Sequence, residues 1–147
     1  MLIPKPAPGL VIRYAYLWAD EHETGQEEGS KDRPVAIVLA ADAIPDQDAA
    51  RVVVVPITHA RPAAGQNALE IPQATKRRLG LDDERSWVVL DEVNVFIWPG
   101  PDVRPVPGRT PSTIAYGMLP ASFTRSIRDG VVALQAAARM RRVPRSE

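Results

Sequence analysis

Apolar and polar positions alternate along most of the chain up to Trp98. Leu10, Ile12, Tyr14, Tyr16 and Trp18 share one face of an extended segment from Gly9 to Trp18, with Val11, Arg13, Ala15 and Leu17 on the other, which predicts a strand carrying an aromatic row. Asp20 to Asp32 breaks the pattern; acidic and interrupted by Gly25 and Gly29, it predicts a loop. Seven consecutive apolar residues, Val35 to Ala41, predict a strand covered on both faces, with Pro34 suited to its first position. After a polar turn from Asp42 to Ala50, Val52 to Val55 predicts another buried strand, closed by Pro56, with Ile57, Thr58 and His59 emerging at its end. Asn67 to Ile71 is a short strand, and Pro72 opens a helical turn that runs through Leu79 and stops at Gly80. Arg85 to Leu90 and Val95 to Trp98 are further strands, separated by Asp91-Glu92, and Thr113 to Tyr116 is the last.

From Pro120 the period changes. Phe123, Ile127, Val131, Leu134 and Ala138 recur at spacings of four, four, three and four, one face of a helix predicted over 120–142. Pro120 at its first turn and Arg139, Arg141 and Arg142 at its end fit helix start and stop preferences, while Gly130 weakens it by about 1 kcal/mol relative to Ala. Residues 143–147 read as a frayed tail. Between the last strands, Pro99 to Pro111 holds five prolines and two glycines, an ordered loop or an exposed spacer. The sum is a mainly β (α+β) chain: one small, strongly curved antiparallel β domain with one short helix and a C-terminal helix.

Composition narrows the chemistry. At 147 residues the chain is one domain, 1–147, long enough to bury a core. It has no cysteine, which excludes disulfides, thiolate metal sites and a Cys nucleophile. Two histidines 37 positions apart, His22 and His59, do not suggest a zinc site, and no metal or cofactor is expected. The proline-rich start does not read as a signal peptide and no apolar run approaches bilayer length, so a soluble cytoplasmic protein is expected, with no membrane partner. Net charge is zero, but its distribution is uneven: Asp20–Asp32 carries six acids against one lysine, and Arg125–Glu147 six arginines against two acids. Such asymmetry orients a partner or a second subunit, or marks a solvated loop and tail.

Arg33 stands at the mouth of the most apolar strand, behind Lys31 and Asp32 and before Pro34. A fixed cation with five donors on rigid support suits an anionic ligand; the same residue also suits snorkelling or pairing with a nearby carboxylate.

The ordered set of features resembles the MazF/PemK-type toxins of bacterial toxin–antitoxin pairs. It comprises the strand after Gly9, the Gly-Gln-Glu-Glu-Gly loop (Gly25 to Gly29), Lys31-Asp32-Arg33-Pro34 with its apolar strand, and Val-Val-Pro-Ile-Thr (Val54 to Thr58). Leu79-Gly80-Leu81, the run from Ser86 to Val93 and a terminal helix complete it, so the likeness covers Gly9 to Trp98 and Pro120 to Ala138. The resemblance implies an SH3-like barrel, a homodimer, and a type II toxin that is a metal-independent endoribonuclease of single-stranded RNA, its groove covered by a cognate antitoxin peptide. Carried over, the family's functional arginine falls on Arg33, its hydroxyl residue on Thr58 and its acidic residue on Asp91. Lys31, His59 and Gln26 are expected to contact RNA; one branch of the family has a functional His at the position of Gln26, and another an Arg where this chain has Val89.

These residue types match the reaction. When a 2′-hydroxyl attacks its neighbouring phosphate, the site must remove a proton, stabilise the phosphorane and protonate the leaving oxygen. Arg33 suits the second task, and Thr58 can donate to the same phosphate. Arginine is a poor acid or base at neutral pH, which leaves Asp91 or His59 for proton transfer. The reading requires Arg33 and Thr58 to face one hollow. Two other classes stand beside it: a non-catalytic barrel that holds RNA or blocks a protein such as gyrase, and an interaction domain docking through residues 120–142.

Overall fold

The computed structural model describes residues 1–27, 29, 31–42 and 50–145. Glu28 and Ser30 of the expected acidic loop, the interior of the expected turn at 43–49, and Ser146 and Glu147 lie outside the described residues. In chain order the elements are β1 (Leu10–Tyr14), α1 (Ala19–Glu23), β2 (Arg33–Asp42), β3 (Ala50–Thr58), β4 (Ala68–Glu70) and α2 (Gln73–Leu79). There follow β5 (Trp87–Val89), β6 (Glu92–Ile97), β7 (Val103–Arg104), β8 (Ala115–Met118), α3 (Ala121–Ala136) and β9 (Arg141–Pro144).

The chain is mainly β, in a nine-stranded sheet ordered β4-β5-β3-β2-β1-β7, with β6 on β3, β8 on β1 and β9 on β6. Pairings are antiparallel except β6 with β9. The hydrogen-bonded path does not return on itself among the described residues. Among those residues, too, no helix is long and apolar enough to cross a membrane.

Alternation explains how β2 is covered. Val35 and Ile37 enter a cluster with Ile12, Tyr14, Tyr16, Val54 and Phe96; Ala36 and Val38 enter another with Val55, Leu79, Leu90 and Ile127. The double covering stops at a bulge between Ile37 and Leu39, after which Leu39 is exposed. The aromatic row of β1 packs inward, Tyr14 stacking on Phe96 with ring centroids 4.7 Å apart. Helices α2 and α3 close the second cluster through Leu79, Ile127 and Leu134, with Phe123 and Val131 packed against it.

The strand expected over Gly9–Trp18 ends at Tyr14 and the one expected from Val95 already starts at Glu92; four further departures each have a local reason. The acidic segment opens with α1, because the Glu21 carboxylate at its first turn accepts the Trp18 N–H at 3.0 Å, and Asp20 and Glu23 both grip Arg141 (2.9 and 2.8 Å). Strand β3 continues through Pro56 to Thr58. One of its edges pairs with β6 up to Val54 and with β5 from Ile57, so Pro56 lies at the handover, where no partner on that edge asks for an amide. The C-terminal helix ends at Ala136 instead of Arg142. Ala138 adopts a left-handed conformation (φ 54°), and the N–H groups of Ala138 and Arg139 return to the carbonyls of Gln135 and Leu134, a Schellman closure without its usual glycine. The expected frayed tail is β9 followed by Arg145, whose buried guanidinium pairs with Asp102 at 3.0 Å and donates to the Ala15 carbonyl at 2.7 Å. The proline-rich loop is thereby an ordered one, carrying β7 and the buried Val106.

Two substitutions in and after α3 are expected to act in opposite senses to helix propensity and to each other. Ala138→Gly should raise stability by about 1 kcal/mol, since alanine at this left-handed position is strained. Gly130→Ala should fail to stabilise despite alanine's better propensity, because its Cβ would lie 2.7 Å from Leu90 Cδ1. Urea unfolding midpoints of the two variants against the parent check both.

Candidate functional site

The register of β2 against β3 decides what meets at the end of the ladder. Val35 lies opposite Pro56, and extending that antiparallel register by two residues sets Arg33, the first residue of β2, across from Thr58, the last of β3. Directly opposed residues share a face. Both residues line one hollow of about 550 Å³, together with Trp18, Ile57, Leu81, Val106 and Tyr116. Two residues distant in sequence are thus brought together by strand pairing, on rigid backbone.

Arg33 is held by a ring. Its guanidinium carbon sits 4.9 Å from the Trp18 centroid, and no ion pair to it is found among the described residues. Burial lowers its pKa from the ordinary value, against the opposing influence of Glu21, Tyr16 and Glu92; an arginine remains charged at neutral pH regardless. Its Nε is buried without a partner among the described residues. Arg13 and Lys31 line the same hollow, Arg13 donating to the Tyr116 hydroxyl at 3.2 Å. The lining acids are already engaged: Asp32 lies 3.7 Å from Arg104, and Asp82 pairs with Lys76 at 2.6 Å. Arg13, Lys31 and Arg33 therefore leave a local positive excess that the chain's net charge of zero conceals.

Thr58 Oγ1 accepts the Ala60 N–H at 3.1 Å, closing the turn that ends β3. Accepting leaves the hydroxyl's own proton to give to a ligand. Beyond it, His59 enters a polar cluster. Its Nε2 is 2.5 Å from Asp82 Oδ2 and its Nδ1 3.3 Å from Glu84 Oε2. Asp82 is fixed in turn, its Oδ1 accepting from the Lys76 ammonium and from the Glu84 N–H at 3.2 Å; the same ammonium also donates to the Glu84 carbonyl. Lys76 is 1% exposed, so this cation anchors the cluster from below. Burial raises the Asp82 pKa, but the bond from Lys76, the proximity of His59 and the Glu84 N–H outweigh it and hold the carboxyl below its ordinary value.

No family model, curated protein or solved structure matches this chain. What the hollow does follows from the side chains that line it.

Of the residues singled out in the sequence, Arg33, Thr58, Lys31 and His59 line the hollow; Asp91 and Gln26 do not. Asp91 lies at the turn between β5 and β6, half-buried, where its carbonyl accepts the Arg141 N–H at 3.0 Å. The strand's alternation turns the next residue inward instead: Glu92 is buried, accepting from the Tyr16 hydroxyl at 3.0 Å and the Ala19 N–H at 3.2 Å, and burial raises its pKa. Gln26 is exposed beyond α1 and donates to Glu21 Oε2 at 3.1 Å. Sequence reasoning missed Arg13, Tyr116, Asp82 and Glu84. Arg13 had a signal, a charge on the otherwise apolar second face of β1; Asp82 and Glu84 had none, because the loop after α2 carries no periodicity.

His59, Asp82 and Glu84 are also the one trio among the described residues whose potential metal-donor atoms all come within 4.8 Å of each other. The closest contacts of the two carboxylates are to different ring nitrogens, and the Lys76 ammonium supplies the positive charge beside them. The arrangement fits a clamped imidazole.

The Asp82 shift sets an acid dependence. A carboxyl whose folded-state pKa is depressed adds stability at pH values above its unfolded pKa, 3.8, and loses it as pH falls through the lower folded value. Asp82→Asn should therefore be clearly less stable than the parent at pH 7, stripping the buried Lys76 of its counter-charge, and the gap should narrow by pH 3. Urea titrations at the two pH values measure it.

Proposed function

We propose that this chain is a metal-independent endoribonuclease that cuts single-stranded RNA, acting as the toxin of a type II toxin–antitoxin pair of the MazF/PemK kind. In this reading the sheet is that family's SH3-like barrel, the working form is a cytoplasmic homodimer, and a cognate antitoxin peptide occupies the hollow when the toxin is restrained.

One observation carries the proposal: Arg33 and Thr58 line a single hollow whose neighbouring cations, Arg13 and Lys31, have no carboxylate partner among the described residues. A phosphodiester is the ligand that this charge suits, since it brings a delocalised anion to a guanidinium fork and a hydroxyl donor. As the 2′-oxygen attacks, the phosphorane gains negative charge, and preorganised donors at its equatorial oxygens bind it more strongly than the ground state. Trp18, whose ring already carries Arg33, and Tyr116 line the hollow as well, and a base of an unpaired strand that stacks against either ring would favour single strands over duplexes.

The test is incubation of the purified protein with a mixed single-stranded RNA in EDTA. Defined fragments ending in 2′,3′-cyclic phosphate are expected. Arg33→Ala should lower the rate by about 100- to 1,000-fold, as loss of one preorganised donor does, while leaving the fold intact; Thr58→Val should lower it by about tenfold. RNA that is bound and left whole would replace the nuclease with a binding barrel.

A further inference from the structure

We infer that His59 is the general acid of this site, delivering a proton to the 5′-oxygen that departs when RNA is cut, and that Asp82 is its positioning residue. The inference rests on the nuclease reading above and adds to it the group that moves the proton.

Placement comes first. His59 follows Thr58 at the end of β3 and lines the same hollow, while its side chain stays half exposed and open to a ligand. Asp91, the other titratable group suited to the task, lies outside. Arg33 is too basic to give up a proton at neutral pH.

The clamp supplies the orientation, with a carboxylate near each ring nitrogen. Asp82 meets Nε2 at 2.5 Å and is itself held by Lys76, so this contact fixes the ring; Glu84 meets Nδ1 at the looser 3.3 Å. Nδ1, whose partner Glu84 is both more distant and more exposed than Asp82, is the nitrogen at which a substrate oxygen can replace a carboxylate. The other charges around the hollow are Lys31, Asp32 and Arg33 at the start of β2 and Arg13 on β1.

The step balances. The 2′-oxygen forms a bond to phosphorus while its proton passes to water, and the bond from phosphorus to the 5′-oxygen breaks. His59 gives its Nδ1 proton to that oxygen and is left neutral, with Nε2–H still held by Asp82. The products are a 2′,3′-cyclic phosphate and a 5′-hydroxyl, and solvent reprotonates the ring.

A substrate that needs no acid tests this directly. Once the parent protein's cleavage position is mapped, single-turnover rates are measured on that oligoribonucleotide and on its twin with sulfur replacing the bridging 5′-oxygen, whose thiolate leaves without a proton. His59→Ala and His59→Asn should slow cutting of the oxygen substrate by about 100- to 10,000-fold and cut the sulfur substrate near the parent rate. Asp82→Asn should slow the oxygen substrate less and leave the sulfur substrate unaffected. His59 variants that cut ordinary RNA at the parent rate, or lose the same factor on both substrates, would overturn the assignment while leaving the nuclease reading in place, provided Arg33→Ala is still impaired. A parent protein that cuts neither substrate would remove both. Cleavage abolished by EDTA and restored by added zinc or manganese would overturn the acid role in favour of a metal at the same cluster.

Discussion

The alignment of β2 with β3 is the constraint from which the site follows. Because Val35 faces Pro56, the first residue of one strand and the last of the other finish level, and a guanidinium and a hydroxyl share one end of the ladder. A slip of one residue would turn either side chain to the other face. The register is guarded by burial on both faces of β2, since Val35 and Ile37 fill one cluster while Ala36 and Val38 fill the other. The bulge beyond Ile37 changes the pairing only after that double covering has been set.

Charge is managed by the same economy of placement. Cations that stabilise the fold are paired: Arg145 with Asp102, Arg141 with Asp20 and Glu23, Lys76 with Asp82. Arg33 is stabilised by an aromatic face, which holds a guanidinium without neutralising it. A chain of zero net charge can thus keep a positive hollow, because the two acids that line it, Asp32 and Asp82, lie against Arg104 and Lys76. The carboxylates near His59, Asp82 and Glu84, come from the loop after α2, a different segment from the one that carries Lys31 and Arg33.

Period-two and period-four patterns made most elements legible, from the aromatic row of β1 to Pro72 and Gly80 bounding α2. What they could not show were features decided by single contacts. Helix α1 depends on one carboxylate meeting the Trp18 amide, and the end of α3 on an alanine taking a conformation associated with glycine. Strand β9 has no alternating signature at all; it is placed by pairing with β6 and by the Arg145 anchor. At the site, Arg33 and Thr58 were legible because each stands at the end of an apolar run. Asp91 and Glu92 are adjacent acids, and only the direction of the strand tells which of them turns inward.

The parallel pairing of β9 with β6 has a bearing on how the molecule is made. During synthesis from the amino terminus, the edge of β6 stays open, and the partners of Arg145 at Ala15 and Asp102 stay unmet, until the segment 141–145 has left the ribosome. The grip of Arg141 on α1, next to the indole that carries Arg33, is equally late. A nascent chain therefore completes the support behind its hollow only after residues 141–145 have emerged, well after the strands that line the hollow.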